Sequence, residues 1–298
     1  MVFRTFNSYL KAAYHTEVGK ICIDGGFTCP NRDGTKGVGG CIFCGERGAG
    51  EHLCAAMSVR EQVEDYFRRP HRQKKFVAYF QNFTNTYASP DVLMRRYTDA
   101  LIDPRIVALA IGTRPDCLGE DVLDVLSAIK ERIDLWVELG LQTTNDDTAR
   151  RIRRGYATEE YLRACERLRA RGIPFAVHLM IGLPGEGTDE LRATVDTVAR
   201  THPFGVKLHG VYVMDGTDLQ ADYLAGRYTP IEKDAYIEAV IDTLLRLPPD
   251  TVILRLMSDC PPGRLVAPAW NTDKAEVHAE IRRRMAERGL TQGMLFTP

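Results

Sequence analysis

The stretch GGFTCPNRDGTKGVGGCIFCG, residues 25–45, follows directly on a short apolar run, KICID at 20–24. It sets Cys29, Cys41 and Cys44 in the pattern C-x11-C-x2-C. Eight glycines lie between Gly25 and Gly48, so the loop can wind closely around a buried object, since glycine accepts backbone conformations that other residues avoid. Three thiolates satisfy two metal classes. A structural zinc ion takes a fourth ligand, and His52 or Cys54 lies nearby. An iron–sulfur cluster normally takes four cysteines, so three leave one iron open to a different ligand.

Working outward, apolar runs rich in β-formers recur at 76–80, 106–112, 135–141, 174–182, 206–214 and 251–257. Amphipathic stretches with helix-start signals separate them. Ser58 and Glu61 make a capping-box pattern, and Ser89-Pro90 places a proline in a first helical turn. Further helical patterns cover 119–133, 158–172, 188–200 and 231–247. Such alternation predicts parallel strands with right-handed crossovers, and the nearly continuous apolar strands fit a sheet covered on both faces. A barrel or partial barrel of βα units fits, and so does an open doubly wound sheet. No G-x-G-x-x-G follows a strand, which disfavours a dinucleotide fold. The pattern reads as one domain, 1–228, with a strand–helix extension over 229–298 packed on it.

With 298 residues, 44% of them hydrophobic and 27% charged, the chain is long enough for a full core and is not disordered. No apolar run reaches the ~18–20 residues that span a bilayer, and no secretory h-region is evident at residues 1–20. A cytoplasmic protein is expected, where eight cysteines signify metal or redox chemistry rather than disulfides. Cys22, Cys54, Cys117, Cys165 and Cys260 are isolated from the loop pattern and read as packing residues. Arginine outnumbers lysine thirty to nine, but the net charge of −1 gives no sign of a nucleic-acid surface.

The loop GFTCPNRDG…GGCIFC and the segments 79–89, 111–118, 138–156, 178–187 and 207–219 at successive strand ends together resemble the radical S-adenosylmethionine (SAM) superfamily. Within it, they are most similar to a bacterial family in the branch of the Elongator catalytic subunit. The resemblance implies an α/β fold, a partial (β/α)6 barrel with its chemistry at the C-terminal strand ends. It implies Cys29, Cys41 and Cys44 as ligands of a [4Fe-4S] cluster whose open iron holds SAM, with Phe43 near the adenine. Gln81, Asn82 and Thr84 occupy the position that binds the SAM amino group, although the usual Gly-Gly-Glu is absent. Glu138 and Gln142 would reach the ribose, and Arg153 or Arg154 the carboxylate. A low-potential donor of flavodoxin or ferredoxin type would supply electrons.

On the substrate side, Asp116, His178, His209 and Tyr212 are the polar residues expected to point into the barrel. The branch implies RNA, a tRNA wobble uridine, as substrate, with the Arg-rich segment 280–293 available for backbone contacts. A small metabolite or peptide is the alternative substrate. A zinc-stabilised nucleic-acid-binding module without catalysis is the alternative class.

Overall fold

A computed structural model describes residues 2–48 and 56–297. Its main sheet contains β1 (Val18–Ile23), β2 (Lys75–Phe80), β3 (Ile106–Thr113), β4 (Asp134–Gln142), β5 (Phe175–Ile181), β6 (Gly205–Gly210) and β8 (Val252–Arg255). All pairs are parallel and the strands lie in chain order, closing into a curled half-barrel. Strictly sequential order leaves no point at which the winding reverses, which separates this fold from the doubly wound alternative. The helices are α1 (Phe6–Tyr14), α2 (Val59–Phe67), α3 (Pro90–Asp99), α4 (Glu120–Lys130), α5 (Asp146–Arg151), α6 (Thr158–Ala170), α7 (Thr188–Arg200), α8 (Asp218–Leu224), α9 (Lys233–Arg246) and α10 (Lys274–Glu287).

Alternation along the strands divides the interior in two. Ile21, Ile23, Phe80, Leu109, Ile111, Val137, Leu139, Val177 and Leu208 face the helices in one large core. That core also takes in Val240, Ile253, Val277 and Ile281, so the C-terminal segment shares it. Val77, Tyr79, Ala108, Ala110 and Trp136 face the lumen, where Leu10 of α1 packs with them. Phe6 meets Trp136 edge-on at 5.7 Å and Tyr9 meets Phe204 at 4.9 Å, so α1 plugs the lower end.

The continuous strand expected at 206–214 divides instead. The main sheet ends at Gly210, and β7 (Val213–Met214) pairs antiparallel with β9 (Leu265–Ala267) in a separate ribbon. Gly210 lies close beneath the Tyr236 ring, and past it the chain turns toward a second apolar cluster at Ile42, Ile152, Val211 and Val213. The last main-sheet strand is also shorter than expected, ending at Arg255.

Candidate active site

The cysteine loop is fixed to the barrel by its polar residues rather than by regular structure. Asn31 donates through Nδ2 to the carbonyls of Arg153 (2.6 Å) and Arg154 (2.9 Å), and to Cys41 Sγ at 3.7 Å. Gly155, at φ +80°, lies so close to the Asn31 amide that a Cβ would collide with it. The Ile42 amide donates to the Ile152 carbonyl at 3.3 Å, and its own carbonyl accepts from Leu219 at 2.9 Å. Lys36 reaches Asp116 at 2.5 Å, and Asp116 is gripped from its other side by the Arg114 fork at 3.0 and 2.9 Å. Asp116, expected on the substrate side, is thus the tie between the loop and the end of β3. Its carboxyl is held below the usual range against the opposing effect of burial, by Arg114 and then Lys36.

Cys29, Cys41 and Cys44 are all free thiols. Burial pushes the Cys41 thiol up to about 12, with the nearby Cys44 and Cys29 adding to the rise and Arg114 opposing it. A thiolate there requires compensating positive charge, which a bound iron–sulfur cluster would supply. Among the described residues no three His, Cys, Asp or Glu side chains converge as a single metal ion requires; the ligands of a four-iron cube stand farther apart. His52 and Cys54, the zinc reading's fourth ligands, lie outside the described residues. Phe43, like Met180, packs against the cluster that contains Ile42, Leu183 and Val211, making an apolar wall next to the loop.

Past β2 the backbone carries a row of buried amides. Asn82 donates to Asp24 Oδ2 at 2.9 Å, and Asn85 donates to the carbonyls of Phe80 (3.2 Å) and Gly112 (2.7 Å). These bonds orient both amides and leave Asn82 Oδ1 and Asn85 Oδ1 as buried acceptors without partners among the described residues, along with the Thr84 hydroxyl. Three unmet polar groups in one buried turn fit a ligand amine that donates to them. Asn85 belongs with the expected Gln81, Asn82 and Thr84 but was not singled out from sequence. Gln81 follows β2 and its amide donates to the Ile23 carbonyl at 3.2 Å.

The end of β4 is irregular. Gln142 stands at φ +68°, and the register with β5 shifts between Gly140 and Gln142. Arg154, 1% exposed, closes that irregularity. It donates to the carbonyls of Leu141 (2.9 Å), Thr143 and Tyr156 (3.0 Å), pairs with Asp146 at 3.0 Å, and stacks 4.4 Å from the Tyr156 ring. Its guanidinium is committed to the protein's own backbone. Arg153 is half exposed and pairs with Asp218 at 2.7 Å. The neighbouring Arg150 and Arg151 are surface residues, Arg150 on Asp147 and Arg151 donating to the Pro184 carbonyl at 3.2 Å.

Inside the barrel stands a polar column. Glu138, expected at the ribose, is 4% exposed, and both its oxygens are engaged. Oε2 accepts from His178 Nε2 at 2.7 Å and Lys207 Nζ at 2.9 Å, and Oε1 accepts from Trp136 at 3.3 Å. Lys207 also donates to the Tyr79 hydroxyl at 2.8 Å. Burial opposes ionisation of Glu138, but Lys207 and His178 overcome it and hold the carboxyl well below its usual range. Burial and Lys207 lower His178 to about 4 despite Glu138, so the imidazole is neutral and donates. Above it His209 lies with its ring 5.0 Å from His178 and its Nδ1 2.7 Å from Arg255. Tyr212 donates to the Asp259 carbonyl at 3.3 Å. Lys207 and Arg255 were missed in the sequence, although Lys207 is two residues before His209 and the period of 2 puts both on one face.

Of the remaining cysteines, Cys165 is buried and Cys22, Cys117 and Cys260 are half-buried, while Cys54 lies outside the described residues. No helix among the described residues is long and apolar enough to cross a membrane.

Comparison with known proteins gives two matching family models, the radical SAM superfamily over residues 29–198 and the radical SAM C-terminal domain over 203–287. The YtqA protein of Bacillus subtilis is 37% identical over 298 residues, spanning 99% of this chain and 92% of its own length. The YhcC protein of Escherichia coli K12 is 36% identical, spanning 98% and 95%. A tRNA uridine(34) acetyltransferase of Dehalococcoides mccartyi is 33% identical over 163 residues, covering 53% of this chain and 34% of that enzyme. The solved structure of the archaeal Methanocaldococcus infernus Elp3, lacking its N-terminal residues 1–46, superposes with a TM-score of 0.68 at 19% identity. That superposition covers 92% of this chain and 64% of the Elp3 chain. Family model, near full-length relatives and half-barrel agree: the chain belongs to the radical SAM superfamily, in the branch similar to the Elongator catalytic subunit, and is an enzyme of the class that works with a [4Fe-4S] cluster and SAM.

Proposed function

We propose that the protein cleaves SAM reductively at a cluster held by Cys29, Cys41 and Cys44, and that the resulting 5′-deoxyadenosyl radical abstracts hydrogen from a tRNA wobble uridine. The observation that carries the reading is the three-cysteine loop pinned by Asn31 and Lys36 across the C-terminal ends of the strands. Phe43 and its apolar neighbours take the adenine, and the Asn82, Thr84 and Asn85 turn takes the amino group. Gln142 serves the ribose. Of the two arginines weighed for the carboxylate, Arg153 is the one whose guanidinium reaches the surface. A flavodoxin- or ferredoxin-like protein supplies the electron, in the reducing cytoplasm that such a cluster requires.

The RNA part rests on the uridine(34) acetyltransferase relatives, of which this chain matches about a third. Their whole activity is not carried over. The competing substrate, a small metabolite or peptide, draws support from the lumen, whose polar groups are buried side chains of the kind that grip a compact ligand.

The test is anaerobic cluster reconstitution and reduction in the presence of SAM. Expected products are 5′-deoxyadenosine and methionine, both lost in Cys41→Ala; cleavage surviving in that variant overturns the ligand assignment. Cluster-loaded protein should then retard purified tRNA in a salt-sensitive manner. No shift at low salt moves the substrate to the small-molecule reading.

A further inference from the structure

Among the described residues, two hydrogen-bond donors in the upper lumen have nothing to donate to. His209 Nδ1 faces an Arg255 nitrogen at 2.7 Å, and arginine can only donate, so the neutral ring carries its proton on Nε2. That Nε2 is buried and without a partner among the described residues, and so is Nε of Arg255. The two residues come from different strands, β6 and β8, and touch one another. A fold does not ordinarily leave buried donors unmet on two residues in contact, and each such group calls for an explanation.

Charge points the same way. Lys207 and Lys20 both approach the Tyr79 ring, with Nζ at 4.4 and 5.4 Å, and Arg255 is a third cation whose charge acts on Lys207. The carboxylate facing these cations from within is Glu138, and Lys207 already occupies it at 2.9 Å. Asp259, on the loop after β8, touches Arg255 at 3.3 Å but is taken by Lys274 at 2.5 Å. His178 donates to Glu138 and stays neutral. Positive charge is therefore in surplus around the two idle donors, and the ligand they suit is an acceptor that is itself anionic.

We propose that His209 and Arg255 form an oxyanion subsite, holding a carboxylate or phosphate group of the substrate inside the half-barrel. The proposal rests on the radical SAM reading and deepens it, because it names a feature of the substrate. It also gives the C-terminal segment a part in recognition, since Arg255 belongs to β8.

Calorimetric titration of the cluster-loaded protein tests this without any turnover. The probes are malonate, inorganic phosphate and the uncharged malonamide. One or both anions bind and malonamide gives no heat at the same concentration. Arg255→Gln and His209→Phe each weaken the anion at least tenfold, and Arg255→Lys falls between. Malonate favoured over phosphate assigns a carboxylate, and the reverse order a phosphate. Malonamide binding equally well, neither anion binding, or both variants binding like the wild type overturns the subsite. If Arg255→Gln does not fold, judged by circular dichroism, His209→Phe and the malonate–malonamide comparison still decide. Anion binding without SAM cleavage would refute the radical reading alone, whereas cleavage without anion binding would refute the subsite alone.

Discussion

Glu138 and Lys207 place opposite charges in a nearly dry lumen, and each stands there because the other does. Removing one partner of such a pair leaves an uncompensated buried charge and costs about 3–5 kcal/mol. Lys207→Met should destabilise by about that much in a denaturant titration, and the double variant Lys207→Met/Glu138→Gln should recover part of the loss. A double variant as unstable as the sum of the singles would mean the pair is not coupled. His178 adds a pH signature. Its folded value, about 4, lies below the ordinary 6.5, so between those values the unfolded chain binds more protons. Stability therefore rises with pH across that window and is lost as pH falls through it, by at most about 3 kcal/mol from this residue. His209, also depressed chiefly by burial, adds in the same direction. His178→Gln should flatten the dependence of melting temperature on pH between 6.5 and 5, and an unchanged slope would contradict the assignment. The lumen was only half legible in sequence. Glu138 inside an apolar strand demanded a partner, but which lysine answered it depends on how strands from distant parts of the chain curl toward each other.

At the scale of elements, the turn after β4 is an irregularity held shut by one side chain. Gln142 has positive φ, the ladder to β5 skips, and Arg154 collects the carbonyls left without ladder partners. Lysine keeps the charge but cannot reproduce a planar fork. Arg154→Lys should cost about 3 kcal/mol or more of stability by chemical denaturation, whereas Arg153→Lys, on the surface, should change it by less than about 0.5 kcal/mol. Comparable losses for both would refute this division of labour. Asn31 makes the analogous tie at the cysteine loop. Asn31→Ala should reduce the iron and sulfide retained after reconstitution and, by stranding the Arg153 and Arg154 carbonyls, lower stability by about 1–3 kcal/mol. Repeating elements were readable because each βα unit carries an apolar run of definite period and a start signal. The short α1, α5 and α8 were not read from sequence. α1 begins with Thr5 capping the Ser8 amide and turns aromatic residues into the lumen, where burial is conferred by the barrel and not by its own pattern. The ribbon of β7 and β9 joins residues about fifty positions apart, which no local signal reports.

For the molecule as a whole, the distribution of charge matters more than its sum. The Arg-rich segment that could have gripped RNA is largely occupied with its own carboxylates. Arg283 pairs with Glu280 and Glu287, and Arg284 with Glu280, Asp234 and Glu238. Arg288 pairs with Glu238, stapling α10 to α9. If tRNA binds, Arg283→Ala and Arg288→Ala should change its affinity less than about threefold, because each released phosphate contact must first break an ion pair. A large loss, with a shallower salt dependence in gel-shift assays, would place RNA on that helix after all.

The stitching of the first residues to the last strand has a further consequence. Arg4 and Thr5 lie along β8, the Ile253 amide donating to the Arg4 carbonyl at 2.8 Å, and Gln292 in turn donates to Val2 at 2.9 Å. A half-barrel, unlike a closed one, ends in strands whose outer backbone groups could recruit another chain. Here the protein's own amino-terminal segment occupies part of that border, so it guards against association between copies. A fusion or tag that draws residues 2–5 away would leave the cysteine loop in place and yet yield a protein that self-associates through β8.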